Sequence, residues 1–272
     1  MIIDVNPVAF HIGPVAVSWY GLMVALAVVT LVGWALWAVK KGAHVTYDEV
    51  INAALVGIPS GIIGARLFHV LDYIDVYAKD PARIITNFGE GLAIYGAVLG
   101  AALGIWIYSR ITKKSFGYLA DMIAPGIILA QAIGRVGCTL RGCCYGVGTD
   151  SCLGTTWTWG NQIIGPVHPT QIYEIGYNLL VFAGLLLLRK RLKPDGSLFL
   201  VYLAAYSLWR FGIDFIREGR ELLFGLHEAQ LVGLAVAIIA ITLLVWKTRW
   251  VKKGEEEDDT PTEAPGDNNK TE

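Results

Sequence analysis

The chain has 272 residues, of which 54% are hydrophobic and only 17% are charged, and its mean hydropathy is +0.51. Soluble domains carry about 25% charged residues, so this composition excludes an ordinary soluble protein and indicates a polytopic membrane protein. The net charge of −1 conceals an asymmetry, because the last nineteen residues, 254–272, are strongly acidic and the remainder is basic. A basic remainder suits contact with anionic lipid.

Seven apolar segments have the length of a membrane span. We predict membrane helices at 15–39, 49–73, 91–109, 116–135, 169–188, 197–216 and 227–247. The fourth segment contains Pro125, Gly126 and Gly134, so a broken or re-entrant helix is an alternative there. The first segment lacks a preceding basic region and follows Asp4, so we expect it to stay in the membrane and not to be cleaved as a signal peptide.

Basic clusters follow every second span, near residues 40–41, 110–114, 189–193 and 247–253, whereas the intervening loops are mixed or acidic. Because basic loops face the cytoplasm, we predict an all-α protein of seven transmembrane helices with the N-terminus outside and the C-terminus inside. The transmembrane domain then covers 1–253 and carries a small extracytoplasmic cap at about 136–168. Residues 254–272 lack the apolar side chains needed for a core and form a disordered cytoplasmic tail.

Polar residues recur at helical spacings of three and four within four of the spans. They are Arg66, His69 and Tyr73 in the second, Gln131 and Arg135 in the fourth, Gln171, Glu174 and Asn178 in the fifth, and Tyr206, Arg210, Asp214 and Arg217 in the sixth. The predicted topology places all of them, with Tyr20 and Tyr95, in the outer half of the bilayer. We therefore predict one polar cavity that opens to the outer leaflet.

An arginine at membrane depth costs about 2.5–3.5 kcal/mol, so a chain that keeps several there has a use for them. The planar guanidinium fork suits phosphate, the most abundant anion of a membrane. Structural alternatives remain for each residue: Arg210 can pair internally with Asp214, Glu174 can join helices, and Arg66 can serve a structural ion pair. Tyr20 and Tyr95 can be ordinary interface tyrosines.

All four cysteines lie in one stretch of fifteen residues inside the predicted cap. They are Cys138, Cys143, Cys144 and Cys152. The extracytoplasmic side is oxidising in many bacteria, and the spacing C-x4-C-C-x7-C matches no standard zinc pattern. We therefore predict one or two disulfides that stiffen the cap. A redox or metal-binding role is the alternative.

Several motifs together identify a family. They are Ser18-Trp19-Tyr20-Gly21-Leu22, Gly64-Ala65-Arg66, Tyr95-Gly96-Ala97-Val98-Leu99-Gly100, Gly134-Arg135-Val136-Gly137, His168-Pro169-Thr170-Gln171-Ile172-Tyr173-Glu174, and Arg210 with Arg217. In these motifs the chain resembles the bacterial prolipoprotein diacylglyceryl transferases. The resemblance implies transfer of the diacylglyceryl group of phosphatidylglycerol to the lipobox cysteine of preprolipoproteins in the bacterial cytoplasmic (inner) membrane, which forms a thioether and releases glycerol phosphate.

The resemblance also implies which residues act. It gives catalytic roles to Arg135, Arg210 and Tyr20, and we predict Tyr95 as a further catalytic residue. We predict substrate contacts at Arg66, His168, Gln171, Glu174, Asp214 and Arg217, as well as at Arg135 and Arg210. No metal, no nucleotide and no nucleic-acid partner is implied. A lipid transporter or flippase, a thiol redox protein, and a relative of the transferase with another acceptor are the alternative functions.

The chain departs from the family in two places. A frequent His-Gly-Gly, whose histidine is a proposed base, is Tyr95-Gly96-Ala97 here, and a frequent Asn and Glu are Cys138 and Cys143. Tyr95, Glu174 and Asp214 are therefore alternative bases. A strong base is also dispensable, because a free thiol with a pKa near 8.5 is already ionised by a few per cent at neutral pH.

Overall fold

The computed structural model describes residues 1–86, 91, 93–159, 162–189, 191–217, 221–223 and 225–250, so the predicted acidic tail lies outside the described residues. In chain order the helices are α1 (Trp19–Lys40), α2 (Tyr47–Asp72), the single turns α3 (Ile74–Tyr77) and α4 (Arg83–Thr86), α5 (Ile94–Ile111), α6 (Phe116–Arg141), α7 (Thr170–Leu188), α8 (Ser197–Ile213) and α9 (Glu228–Lys247). Seven of them are long and apolar enough to cross a membrane. The prediction of a multi-pass helical membrane protein is confirmed.

Short strands flank the helices. They are β1 (Ile2–Asp4), β2 (Val8–Ile12), β3 (Val15–Ser18), β4 (Thr155–Trp159), β5 (Gln162–Val167), β6 (Leu192–Lys193), β7 (Glu221–Leu223), β8 (Leu226–His227) and β9 (Arg249–Trp250). The largest sheet has the order β1-β4-β5, with β1 parallel to β4 and β5 antiparallel to it. We call the end of the bundle that carries this sheet the cap end. The basic clusters that follow α1, α5, α7 and α9 lie at the opposite end, the basic end.

Several helices begin where the sequence supplies a cap. The Ser18 hydroxyl accepts a hydrogen bond from the amide of Gly21 at the start of α1. At the start of α2, Thr46 and Glu49 form a capping box, in which each side chain accepts from the other residue's main-chain amide. Such caps satisfy amide groups that have no partner within the helix.

The fourth span is one continuous helix, α6, although it contains Pro125. The alternative of a broken or re-entrant segment is therefore wrong. The helix also continues six residues beyond the predicted boundary, because no break follows Arg135 until Gly142, which adopts a left-handed conformation with φ of 66°. Residues 136–141, which we assigned to the cap, belong to the helix.

Glycines set the helix packing. On α2 and α5, the main chains of Gly64, Gly96 and Gly100 lie so close that a Cβ on Gly64 would be 2.9 Å from the Cα of Gly100. On α6, a Cβ on Gly126 would be 2.7 Å from a ring carbon of Trp34 in α1. Small residues permit this close approach of membrane helices, and they explain the paired packing of α2 with α5 and of α1 with α6.

Different hydrogen bonds join α6 to its neighbours at the two ends of the bundle. At the cap end, Trp157 of β4 donates its indole hydrogen to the carbonyl of Thr139 on α6 at 2.9 Å. At the basic end, the Asp121 carboxylate on α6 accepts the amides of Gly196 at 2.8 Å and Phe199 at 2.7 Å. Asp121 thereby supplies the N-terminal cap of α8 from a neighbouring helix.

Candidate functional site

Five charged side chains form one chain of ion pairs at the cap end. Arg135 Nε lies 2.8 Å from Glu174 Oε1, and Arg217 Nη1 lies 3.8 Å from Glu174 Oε2. Arg217 Nε lies 4.0 Å from Asp214 Oδ1, and Arg210 Nη1 lies 2.9 Å from the same oxygen. The order Arg135–Glu174–Arg217–Asp214–Arg210 alternates in charge, and it joins α6, α7 and the end of α8.

Burial separates the two kinds of charge in this ion-pair network. The carboxylate side chains are 1% and 4% exposed, whereas the side chains of Arg135, Arg210 and Arg217 are 19%, 22% and 11% exposed. The carboxylates therefore lie behind the guanidinium groups, which remain accessible to a ligand. Three cations and two anions leave the network with one net positive charge. Burial and the charges of Arg210 and Arg135 lower the pKa of Arg217, but an arginine stays protonated at neutral pH.

The segment after α6 closes the network from the cap side. Gln171 Nε2 donates to the carbonyl of Cys143 at 2.6 Å, and the Thr170 hydroxyl donates to the carbonyl of Cys144 at 2.7 Å. Further along, the amide of Gly146 donates to His168 and the amide of Val147 donates to Ile216. The first turn of α7 and the end of α8 thus hold residues 143–147 in place beside the arginines.

A second polar layer consists of Gln131 and Asn178, one helical turn deeper in the bundle than Arg135 and Glu174, and of Trp209, which directly precedes Arg210. Among the described residues, both amide atoms of Asn178, Gln131 Oε1 and Trp209 Nε1 are buried without a hydrogen-bond partner. Gln131 precedes Arg135 by four residues, and Asn178 follows Glu174 by four. A buried polar atom without a partner is costly and calls for an explanation such as a bound ligand or water.

The two predicted catalytic tyrosines occupy different positions around the network. The ring of Tyr20 lies under the guanidinium of Arg141 at 5.5 Å and packs against Gly137, one turn of α6 from the site. Tyr95 is 40% exposed at the first turn of α5, where the charges of Arg210 and Asp214 act on its hydroxyl. Tyr95 therefore lies near Arg210 of the network, whereas Tyr20 lies beside Arg141 at the end of α6.

Arg66 serves a main-chain segment. Its Nε, Nη1 and Nη2 donate to the carbonyls of Ile84, Gly91 and Arg83 at 3.1, 3.1 and 2.9 Å. The guanidinium also lies 5.2 Å from the ring centre of Tyr77. His168, another predicted contact, lies with Nδ1 3.3 Å from the hydroxyl of Tyr173. Direct contact of Arg66 and His168 with substrate remains a prediction.

The cysteines form no disulfide, so that prediction is wrong. Instead, the Sγ atoms of Cys138, Cys143 and Cys144 lie within 4.8 Å of one another, and Cys152 is exposed outside this group. Cys143 and Cys144 are consecutive, and the Cα separation of consecutive residues, about 3.8 Å, is below the usual range for a disulfide. Hydrogen bonds from Cys138 and Cys143, with the charges of Arg217 and Arg135, lower the pKa of the Cys144 thiol.

A cavity of about 300 Å³ lies at the basic end, between Phe116, Pro194, Phe199 and Lys247. None of the predicted site residues lines this cavity. This cavity is therefore separate from the ion-pair network at the cap end.

Comparison with known proteins identifies the family. A family profile described as prolipoprotein diacylglyceryl transferase matches residues 7–246. The chain belongs to this transferase family. Relatives named phosphatidylglycerol–prolipoprotein diacylglyceryl transferase include those of Dehalococcoides mccartyi, 45% identical over 93% of this chain and 98% of the relative, and Symbiobacterium thermophilum, 37% identical over 90% and 94%. A third, from Lysinibacillus sphaericus, is 33% identical over 93% and 96%.

The match to the transferase family spans all the motifs from which the sequence predicted it, so the recognition is confirmed. Sequence reasoning found the five charged residues but not the order of their pairing. It also missed the Gln171 bond to Cys143, although Gln171 was a candidate contact, because the carbonyl partner lies 28 residues away. The sequence placed Tyr206 and Glu174 on the polar stripes of two different spans and did not pair them, whereas the Tyr206 hydroxyl lies 3.4 Å from Glu174 Oε1.

Proposed function

We propose that this chain transfers the diacylglyceryl group of phosphatidylglycerol to the lipobox cysteine of preprolipoproteins. Membership of the transferase family and similarity to three relatives named phosphatidylglycerol–prolipoprotein diacylglyceryl transferase over most of their length support this activity and both substrates. We further propose that the cap end faces outward from the bacterial cytoplasmic membrane. The basic clusters at the opposite end support that orientation, because basic loops stay in the cytoplasm.

The ion-pair network carries the proposal of a phosphate site. Its net charge of +1 is equal in size and opposite in sign to the charge of a phosphodiester anion. The lipid headgroup therefore neutralises the site without any proton transfer. Arg135 and Arg210 bind the phosphate oxygens through their partly exposed guanidinium groups. Charge-assisted bonds of this geometry are about twice as strong as neutral ones.

The reaction follows from that placement. The substrate thiolate attacks the glyceryl carbon that bears the phosphate, a C–S bond forms, and the C–O bond breaks. Its electron pair leaves on glycerol phosphate, whose charge grows from one to two negative charges. Arginines fixed before the reaction stabilise this developing charge without reorganising, which is why the site lowers the barrier.

Glu174 and Asp214 act in this proposal as positioning residues. Each holds two arginines at distances between 2.8 and 4.0 Å, and each is itself almost fully buried. Gln171 fixes the main chain at Cys143 and so keeps the cap against the site. Arg66 holds the segment around Ile84 and Gly91, and Tyr20 and Tyr95 border the substrate.

The unpartnered polar layer gives the headgroup a second set of contacts. Asn178 offers a donor and an acceptor, Gln131 an acceptor and Trp209 a donor. A glycerol headgroup presents two hydroxyl groups, each of which both donates and accepts. We therefore expect these side chains to bind the headgroup and favour phosphatidylglycerol over lipids with an ammonium headgroup.

Lipidation of a lipobox peptide by purified variants in phosphatidylglycerol vesicles tests the phosphate site. We expect Arg135→Ala and Arg210→Ala each to abolish product, detected by mass spectrometry. Arg110→Ala is the matched control, since Arg110 lies at the basic end against Trp106, and it should retain activity. Thermal unfolding of each variant checks that the fold survives. Full activity in both site variants would refute the phosphate site.

A further inference from the structure

Three thiols converge where α6 ends, and the helix cap itself brings two of them together. The amide of Cys143 donates to the carbonyl of Cys138 at 3.1 Å, and the amide of Gly142 donates to Thr139 at 3.2 Å. With Gly142 left-handed, these bonds form a Schellman motif, in which the side chains at the positions of Cys138 and Cys143 normally contact each other. Two cysteines occupy those contacting positions here.

Cys144 joins them at a conformational cost. Its φ is +67°, in the left-handed region that disfavours residues other than glycine and asparagine. The carbonyls on both sides are anchored by Gln171 and Thr170, so the main chain is fixed in this conformation. A side chain kept at a strained position points to a use for that side chain.

The spacing of the sulfur atoms fits a metal ion. Cys143 Sγ and Cys144 Sγ are 3.8 Å apart, and all three sulfur atoms lie within 4.8 Å of one another. Zinc binds thiolate sulfur at about 2.3 Å in a tetrahedron, and the edge of such a tetrahedron is about 3.8 Å. Thiolates favour soft or borderline metals of this kind over calcium and magnesium.

The surroundings supply charge and access. Arg135 Nη1 lies 4.0 Å from Cys138 Sγ, so a guanidinium group stands beside the net negative charge that three thiolates around a divalent ion carry. Cys138 is buried, Cys143 is partly exposed and Cys144 is exposed, so an ion can enter from the side of Cys144. Cys152 is not a member of the cluster.

We propose that Cys138, Cys143 and Cys144 bind one Zn²⁺ ion as three thiolates and leave its fourth position open. Three protein ligands with an open position are typical of catalytic zinc, whereas structural zinc is closed by four. The family resemblance implies no metal, and it frequently has Asn and Glu at the positions of Cys138 and Cys143, so this site belongs to the chain's own departure from the family.

The open position has a natural occupant, and this part rests on the proposed function. Arg135, the proposed phosphate ligand, borders the cluster, so the lipobox thiol must approach the same place. On binding zinc, that thiol gives its proton to water, because a metal-bound thiol is deprotonated. The bound sulfur then forms the C–S bond while the C–O bond breaks and its electron pair leaves with glycerol phosphate.

Metal analysis of the purified full-length protein tests the site without any activity assay. Protein kept reduced, loaded with Zn²⁺ and then dialysed should hold about one ion per chain. The Cys138→Ser/Cys143→Ser/Cys144→Ser variant should hold none, and Cys144→Ser alone, at the exposed and least structural ligand, should bind at least about tenfold more weakly. Cys152→Ser is the matched control and should bind like the original chain.

Cobalt in place of zinc reports on the fourth position. A lipobox peptide should change the visible absorption of the Co²⁺ protein, and the same peptide with serine for cysteine should not. Failure of the original chain to hold zinc, equal zinc in the triple variant, or a Cys138–Cys143 disulfide in the reduced preparation would overturn the site. Zinc binding with no response to the cysteine peptide would overturn the thiol-binding part alone, whatever the transferase assay shows.

Discussion

The glycine seam between α2 and α5 predicts a large loss of stability from a single methyl group. In Gly96→Ala the new Cβ would lie 2.6 Å from Phe68 Cβ and closer still to the carbonyl oxygen of Gly64. Carbon atoms pack best at about 3.5–4.0 Å, so the two helices must separate by about 1 Å. The opposing atoms include main chain, and no change of rotamer can relieve the overlap.

The magnitude follows from two opposing effects. Overpacking costs about 1–3 kcal/mol, and we expect about 3 kcal/mol because main chain has to move. Alanine recovers up to about 1 kcal/mol of helix propensity, which leaves a net loss of about 2 kcal/mol. Gly176→Ala on α7 is the matched control, since nothing lies within 4 Å of the added Cβ, and it should gain up to about 1 kcal/mol.

Unfolding of both variants in mixed detergent micelles, followed by circular dichroism against denaturant concentration, measures the difference. We expect Gly96→Ala to be about 3 kcal/mol less stable than Gly176→Ala. The reasoning would be refuted if the two variants unfolded at the same denaturant concentration. Such a result would mean that α2 and α5 do not pack through their glycines.

Three further changes test other contacts. Glu174→Gln should cost about 3 kcal/mol of stability and reduce lipidation, because it removes a buried negative charge from two arginines. Tyr206→Phe is its control: it loses only a 3.4 Å hydrogen bond and should cost about 1 kcal/mol or less. Arg66→Ala should speed hydrogen exchange of residues 83–86, read by mass spectrometry, and unchanged exchange there would contradict its role. Asp121→Ala should lower the melting temperature through the loss of about 1–2 kcal/mol of capping, with Asp48→Ala on the exposed start of α2 as the control.

Much of the fold follows from hydropathy and end signals. The second, fifth and seventh spans both begin and end within two residues of the prediction, because Thr46, Pro169 and the basic clusters mark their ends. The fourth span was predicted to end at Arg135, and Pro125, Gly126 and Gly134 suggested a break in it, so the extension of α6 was missed. In the structure Gly137 is a packing residue, since a Cβ there would lie 2.9 Å from Met23. A sequence does not state which neighbour a glycine faces.

The candidate site was predictable as a set of residues but not as an arrangement. The predicted topology placed Glu174 and Arg135 in one outer cavity, and helical spacing placed Arg210 near Asp214; both pairs form. Arg217 lies between the carboxylates of Glu174 and Asp214. That position depends on how α7 packs against the end of α8, and residue spacing within one helix does not predict the packing between two helices. The thiol cluster was likewise hidden, although Gly142 before Cys143 is the sequence signal of the motif that creates it.

The cap that Asp121 provides for α8 has a mechanical consequence. It ties the first turn of α8 to α6 at the basic end, because the Asp121 side chain accepts hydrogen bonds from two main-chain amides of that turn. At the cap end the link between the same two helices is less direct. It runs through Glu174 of α7, which pairs with Arg135 and Arg217, and through the main-chain hydrogen bond from Val147 to Ile216. An arriving phosphate competes with Glu174 for these arginines, so we expect substrate binding to loosen the cap end while the basic end stays tied.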